Sequence, residues 1–171
     1  KEWDWFRISI NPIITWKTIQ GNPELPWDWD GISMNPNITL NIIKNNLRNP
    51  WEWGSISWNP GLTYTFVQEN IDKPWGWDGI TKNPNITMDI IEENPEMPWD
   101  WYWIVRNPNL TIQFVDNNPS IQWNWYMISS IMTWETIQNN PTKPWDWHGV
   151  SSNPKITMNI VQANIDKPWS W

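Results

Sequence analysis

Tryptophan is the residue type in this chain whose number and spacing point most directly to binding chemistry. The 171 residues include 20 tryptophans, and sixteen of them form eight Trp-x-Trp pairs. An indole ring offers a broad apolar face and one N–H donor, so a row of exposed pairs can stack sugar rings or another flat ligand. The alternative is that the row forms a core seam, which we favour because both tryptophan columns adjoin other apolar columns. The pairs are Trp3/Trp5, Trp27/Trp29, Trp51/Trp53, Trp75/Trp77, Trp99/Trp101, Trp123/Trp125, Trp145/Trp147 and Trp169/Trp171.

Other reactive side chains do not predict catalysis or a metal centre. Acidic residues recur between the paired tryptophans, but calcium needs several convergent oxygens and no Asp-rich loop supplies them. The single histidine, His148, occupies a repeat position that holds aspartate elsewhere, and no nucleophile elbow surrounds it. Because cysteine is absent, disulfides and thiolate metal sites are excluded. We therefore expect a non-enzymatic chain with no catalytic, cofactor-binding or metal-binding residues and no cofactor.

The tryptophan pairs recur at a nearly constant period. The first residues of successive pairs lie 24, 24, 24, 24, 24, 22 and 24 positions apart. A fixed period of this size predicts a tandem repeat, in which each unit covers the apolar face of its neighbour. We expect a single repeat domain over residues 1–171 and, since both ends fall within a unit, an excerpt of a longer array. The predicted units are 1–25, 26–49, 50–73, 74–97, 98–121, 122–143, 144–167 and a partial unit at 168–171.

Two helix-start signals occur in each unit. The residue between the paired tryptophans is Asp, Asn, Gly or Ser except at Glu52, and these residue types are preferred at helix N-caps. A threonine twelve residues after the first tryptophan marks a second cap in most units, as at Thr39. Apolar residues stand just before and four residues after each cap, which is the spacing of a hydrophobic staple. Helices are therefore predicted near residues 29–35 and 40–46 and at equivalent positions.

The ends of these helices are also marked in the sequence. Asn-Pro follows the first helix in most units, as at Asn35-Pro36, and the residue before proline avoids the helical region. An asparagine such as Asn46 ends the second helix in every unit, where we expect the left-handed conformation that closes many helices.

These signals predict an all-α solenoid of 24-residue helix-turn-helix repeats with short helices. The alternative is a strand-plus-helix solenoid like a leucine-rich repeat, because residues i and i+2 share one face of a strand. That alternative leaves the capping residues between the tryptophans unexplained. The unit beginning at Gln122 is two residues short and lacks Asn-Pro, so we expect it to kink the stack.

Charge and hydropathy narrow the range of partners. The net charge is −7 without a basic cluster, which disfavours binding to nucleic acid or to an anionic membrane surface. No apolar run approaches the ~20 residues of a membrane span, so we expect none.

Large apolar residues that the repeat does not require are the best candidates for an interaction surface. They lie on the outer face of the first helix, where other units carry Asp30, Asp78 or His148. The alternative is a partly covered surface without a partner. The candidates are Phe6, Ile10, Met34, Trp58, Tyr102, Trp103 and Tyr126.

Several strings repeat a recognisable pattern. They are Lys73-Pro74-Trp75, Lys143-Pro144-Trp145-Asp146-Trp147, Asn83-Pro84-Asn85-Ile86-Thr87 and Ile90-Ile91-Glu92-Glu93-Asn94-Pro95. This pattern resembles the tryptophan-rich tandem repeats encoded by giant DNA viruses of the mimivirus kind, and the resemblance covers the whole chain. It implies a viral origin and a non-enzymatic role, with no catalytic residues to carry over.

We accordingly expect a repeat scaffold for protein–protein interaction or self-assembly, such as a virion, fibre or host-interaction protein. The alternative function is a glycan-binding module that uses exposed aromatic residues. A viral origin would place the chain in the virion or the host cytoplasm, and the sequence does not otherwise define its compartment.

Overall fold

The computed structural model describes residues 3–170, and the regular secondary structure in that range is entirely helical. Its fourteen helices have four to six residues, and no strand occurs among the described residues. Trp27 lies in a loop and Trp29 begins a helix. The all-helical prediction is therefore confirmed and the strand-plus-helix alternative is wrong. The helices are α1 Trp5–Ser9, α2 Trp16–Gln20, α3 Trp29–Met34, α4 Leu40–Asn45, α5 Trp53–Ile56, α6 Tyr64–Glu69, α7 Trp77–Lys82, α8 Met88–Glu93, α9 Trp101–Ile104, α10 Ile112–Asn117, α11 Trp125–Ser129, α12 Trp134–Asn139, α13 Trp147–Ser152 and α14 Met158–Ala163.

The chain folds into two compact bodies, Lys1–Asn109 and Leu110–Trp171. In the N-terminal body the first helices of successive units pack in chain order, α1 on α3, α3 on α5, α5 on α7 and α7 on α9. In the C-terminal body α11 packs on α13. Such packing of unit on unit fits a helical repeat. The continuous solenoid over residues 1–171, the unit boundaries and the kink at the shortened unit stay predictions.

Side chains cap nearly all of the helices at the predicted positions. The Asp28 carboxylate accepts a hydrogen bond from the Gly31 N–H at 2.8 Å, whereas Glu52 and Gly76 make no side-chain cap bond. These caps matter because a helix of six residues leaves most of its terminal N–H and C=O groups unpaired. The hydroxyl of a threonine caps the second helix in seven units, at Thr15, Thr39, Thr63, Thr87, Thr111, Thr133 and Thr157.

The predicted apolar columns form the core. The residue four positions after the first cap is fully buried at Ile32, Ile56, Ile80, Ile104, Ile128 and Val150. The equivalent residue after the second cap is buried at Ile19, Ile43, Val67, Ile91, Val115 and Ile137. The first tryptophan of a pair is buried at Trp51, Trp75, Trp99 and Trp169. The second tryptophan is only half-buried in most pairs, so the core explains one tryptophan column better than the other.

The second helix of each unit ends differently from the prediction. No described residue has a positive φ, and Asn46 has φ −134° and ψ 38°. Its Nδ2 donates to the carbonyl of Ile42 at 2.8 Å, and its own carbonyl accepts from Trp51 Nε1 at 2.8 Å. The expected left-handed asparagine is therefore wrong. An amide and an indole satisfy the helix end instead, which gives the first tryptophan of seven pairs a polar role besides packing.

Buried asparagines connect five of the units to the unit before them. Asn59 is fully buried, and its Nδ2 donates to the carbonyls of Ser33, Asn35 and Ile38 at 3.0, 3.1 and 3.0 Å. Its Oδ1 accepts from the N–H of Gly61 at 2.9 Å. We name this set the asparagine ladder, and its members are Asn35, Asn59, Asn83, Asn107 and Asn153. Two amide protons are thus shared among up to three carbonyl groups of the preceding unit.

Hydroxyl groups make a second connection between the same units. Ser33 Oγ accepts from the backbone N–H of Glu52, the N-cap residue of the next unit's first helix, at 3.1 Å. Val105 occupies the hydroxyl position of its unit, and Ile131 occupies the asparagine position of the next unit. Neither side chain carries a polar group. The hydroxyl ladder consists of Ser9, Ser33, Ser57, Thr81, Ser129 and Ser151.

The asparagine ladder predicts a pH-dependent loss of stability for Asn59→Asp. A carboxylate cannot donate to the three surrounding carbonyl groups, so burial there raises the pKa of the new side chain above its ordinary value of about 3.9. The folded state then holds a proton that the unfolded state releases. The variant should be most stable below about pH 4 and should lose stability as the pH rises through the raised folded-state pKa. Urea unfolding at several pH values measures this loss.

Asn45→Asp is the matched control, because Asn45 is exposed on α4. It should change the free energy of unfolding by about 0.5 kcal/mol or less, without the same pH trend. The same pH dependence in both variants would contradict the role assigned to the buried amide.

Candidate functional site

Five side chains of the N-terminal body form a cluster of aromatic rings and cations. Trp58 and Trp103 meet edge to face, with ring centroids 5.3 Å apart. Lys82 Nζ lies 5.3 Å from the Trp58 centroid and 5.6 Å from the Trp103 centroid. The guanidinium carbon of Arg106 lies 4.8 Å from the ring centroids of both Tyr102 and Trp103. At these distances the negative ring faces attract the cations. We name these five residues the aromatic–cation cluster.

Three residues of this cluster come from one repeat position in three consecutive units. Trp58, Lys82 and Arg106 are 24 residues apart, so stacking of the first helices brings them side by side. Gly79 in α7 provides the space for the Trp58 ring. A Cβ atom at position 79 would lie 2.9 Å from Trp58 Cδ1 and 3.0 Å from the carbonyl carbon of Ser57. The close approach of Trp58 to α7 thus depends on the missing side chain.

A cap at the start of α9 fixes the other half of the cluster. Asp100 accepts from the backbone N–H groups of Tyr102 and Trp103 at 3.0 and 3.2 Å. Arg106, one turn later, donates to the Tyr102 hydroxyl at 3.4 Å. Local helix geometry therefore determines where the two rings and the guanidinium lie.

The two cations of the cluster have no carboxylate partner within residues 3–170. The ion pairs found there use other residues, for example Lys44 with Glu69 and Lys143 with Asp116. Arg106 Nη1 is buried and has no hydrogen-bond partner among the described residues. Tyr102 is 61% exposed at the edge of the cluster. In a chain of net charge −7, this surface can attract an anionic group that other surfaces repel.

The predicted interface residues divide between this cluster and other places. Trp58, Tyr102 and Trp103 lie together in the cluster, as the distances above show. Phe6 is 40% exposed and Tyr126, in the C-terminal body, is 48% exposed. Two further candidates, Ile10 and Met34, are half-buried.

Lys82 and Arg106 are candidates that the structure adds. A criterion of large apolar side chains does not select them, because both carry a charge. The repeat spacing identifies both residues, since Lys82 and Arg106 follow Trp58 by 24 and 48 residues.

Two grooves lined by tryptophan lie at equivalent repeat positions, one in each body. The N-terminal groove has a volume of about 360 Å³ and is lined in part by Trp16, Gln20, Trp27, Trp29 and Asn49. The C-terminal groove has a volume of about 410 Å³ and is lined in part by Trp134, Gln138, Trp145, Trp147 and Lys167. Each residue of the second set follows its counterpart by 118 positions. We name these two cavities the tryptophan grooves.

His148 and the acidic residues do not form a metal-binding arrangement among the described residues. His148 is exposed, and its Nδ1 lies 2.9 Å from the Ser170 hydroxyl. In the described part of the chain, no three His, Asp or Glu side chains come together in a way that could hold a metal ion. No helix between residues 3 and 170 has the length and apolar character needed to cross a membrane.

Comparisons of this chain with protein-family models, with curated proteins and with solved structures found no match. The class of this protein is therefore inferred from its composition and fold. The chain is a tryptophan-rich, all-helical repeat protein.

The packing of Trp58 against α7 predicts opposite effects for two glycine substitutions. Gly79→Ala should destabilise the fold by about 1–3 kcal/mol, because the added methyl group meets the Trp58 ring and backbone. Gly54→Ala is the matched control, since a Cβ there meets nothing within 4 Å. It should stabilise α5 by up to about 1 kcal/mol, the usual difference in helix propensity. Urea unfolding measures both effects, and equal shifts would refute the close approach at Gly79.

Proposed function

We propose that this chain is a non-enzymatic repeat scaffold that binds another protein through the aromatic–cation cluster. The observation that carries the proposal is the pair of cations, Lys82 and Arg106, held among rings without a carboxylate partner in the described chain. A partner surface that presents carboxylates would supply what this cluster lacks.

The composition of the cluster supports this role. Tryptophan, tyrosine and arginine are the residue types that most often dominate the energy of protein–protein contacts. Here Arg106 is held between two rings and Lys82 also lies between two rings. Side chains restrained before binding lose less conformational freedom when a partner arrives. The cluster is thus prepared to bind with a small entropic cost.

The charge of the whole chain directs the choice of site. A net charge of −7 repels an acidic partner from most of the surface. The unpaired cations of the cluster attract the same partner, and such contrast gives orientation and specificity more than raw affinity. A carboxylate-bearing segment would therefore bind at the cluster in preference to other faces.

We extend the proposal to the setting in which the scaffold works. The repeated strings, for example residues 83–87 and 143–147, resemble tryptophan-rich repeats of giant DNA viruses. On that resemblance the scaffold is a giant-virus structural, fibre or host-interaction protein, and its units stack as a solenoid. Tandem packing of the first helices supports an extended surface of this kind.

Binding of a fluorescein-labelled octaglutamate peptide, followed by anisotropy at low salt, tests the cluster. Wild-type protein should bind the peptide, and Arg106→Gln should weaken binding about tenfold, since a desolvated charge contact is lost. Lys17→Gln removes the same charge from an exposed position on α2 outside the cluster. It should weaken binding by about twofold or less.

Equal weakening by Arg106→Gln and Lys17→Gln would show that the peptide senses only overall charge and would contradict the proposal. Tyr102→His, which places at this position the residue found at His148, should also weaken binding without unfolding α9. Self-association in sedimentation that Arg106→Gln abolishes would contradict the choice of a foreign partner.

A further inference from the structure

The tryptophan grooves contain aromatic residues that the repeat does not require. The second helix begins with tryptophan only at Trp16 and Trp134, whereas the other units carry Leu40, Tyr64, Met88, Ile112 and Met158 at this position. Both of these tryptophans line a groove. The coincidence of an uncommon residue with a cavity, twice in one chain, favours a binding role in addition to packing.

Neighbouring rings hold the groove tryptophans in place. The Trp16 ring lies against Trp51, with centroids 5.7 Å apart and planes inclined by 32°. Trp134 lies against Trp169 in the same way, at 5.6 Å and 34°. Because Trp51 and Trp169 are buried, one face of each groove tryptophan rests on the core. The groove walls are therefore preformed.

Uncharged polar groups lie beside these rings. The side-chain amides of Gln20 and Asn49 have no hydrogen-bond partner within residues 3–170, and neither does the indole N–H of Trp29. The lining of the N-terminal groove contains no ionisable side chain. The groove thus offers apolar faces together with free donors and acceptors, which suits a ligand with an apolar face and a rim of hydroxyl groups.

The lining of the C-terminal groove also has no net charge once its ion pairs are counted. It is lined by two lysines, but Lys143 pairs with Asp116 and Lys167 pairs with Asp166 at 3.2 Å. Each cation is thus matched by a carboxylate of the same body. Neither groove therefore selects for an anion, and an uncharged ligand suits both.

We propose that each tryptophan groove binds a neutral oligosaccharide by stacking one or two pyranose rings on the indoles. A pyranose has an apolar face of C–H groups and an equatorial rim of hydroxyls, which matches the rings and amides of the groove. Volumes of about 360 and 410 Å³ lie in the lower part of the range for small-molecule sites. This size fits a disaccharide and is too small for a protein helix. The proposal is independent of the aromatic–cation cluster.

Titration calorimetry with maltose, cellobiose, lactose and N,N′-diacetylchitobiose tests the proposal. At least one of these sugars should bind with two sites per chain, one for each groove. Trp16→Leu and Trp134→Met place in each groove the residue that other units carry at Leu40 and Met88, so the fold should persist. Each single variant should leave one site, because its own groove loses about tenfold or more in affinity with the stacking ring. The double variant should bind no sugar.

Trp3→Leu is the matched control, because Trp3 is 75% exposed and lines neither groove. It should leave both sites intact, as should Arg106→Gln, so failure here is distinguishable from failure of the protein-binding proposal. Unchanged binding by the double variant, or no binding of any of the four sugars by the wild type, would overturn the inference. Binding of a decaproline peptide in place of sugar would overturn it too, since aromatic grooves also accept polyproline helices.

Discussion

The structure depends on a buried amide that crosses from one repeat unit to the carbonyl groups of the unit before it. Short helices create the need for this contact. A helix of four to six residues cannot pair its last carbonyl groups within itself, and leaving such groups buried without a partner costs about 1–3 kcal/mol each. Asn59 Nδ2 donates to the carbonyls of Ser33 and Asn35 at the end of α3, and also to the loop carbonyl of Ile38. The unit before each ladder residue is thus completed by the unit after it.

The hydroxyl ladder also accepts its hydrogen bond from the following unit, and it strengthens the same dependence. Ser33 accepts the N–H of Glu52, a residue whose own side chain provides no cap. Where both ladders are present, a unit therefore donates a side-chain amide and a backbone N–H to the unit before it. Both ladders lack a polar side chain in one stretch, at Val105 and Ile131. The division between the bodies, after Asn109, falls within that stretch.

Local signals made the helices predictable. Caps such as Thr39 and Asp28 act within a few residues, and the structure contains them. The ladder was not predictable in the same way, because its partners lie 21 to 26 residues from each asparagine. Asn-Pro also terminates a helix by itself, which is enough to explain an asparagine at position 35. The sequence therefore gives no sign that Asn35 also donates hydrogen bonds to the preceding unit.

The candidate site was predictable in part for a related reason. Comparing units identifies large aromatic residues, and Trp58, Tyr102 and Trp103 were recognised in that way. The contribution of Lys82 and Arg106 depends on which rings they face, and that is decided by packing between units. The prediction of a left-handed turn at Asn46 is wrong because side chains satisfy this helix end. The Asn46 amide and the Trp51 indole make the hydrogen bonds that such a turn would otherwise provide.

Exchange of side-chain amide protons, followed by nuclear magnetic resonance, tests the central claim most directly. The Nδ2 protons of Asn59 are buried and bonded to another unit, whereas those of Asn45 are exposed and contact only the side chain of Asn41. Exchange of the Asn59 protons should therefore require opening of the contact between units and be far slower than that of the Asn45 protons. Comparable exchange rates at Asn59 and Asn45 in the folded protein would contradict the account.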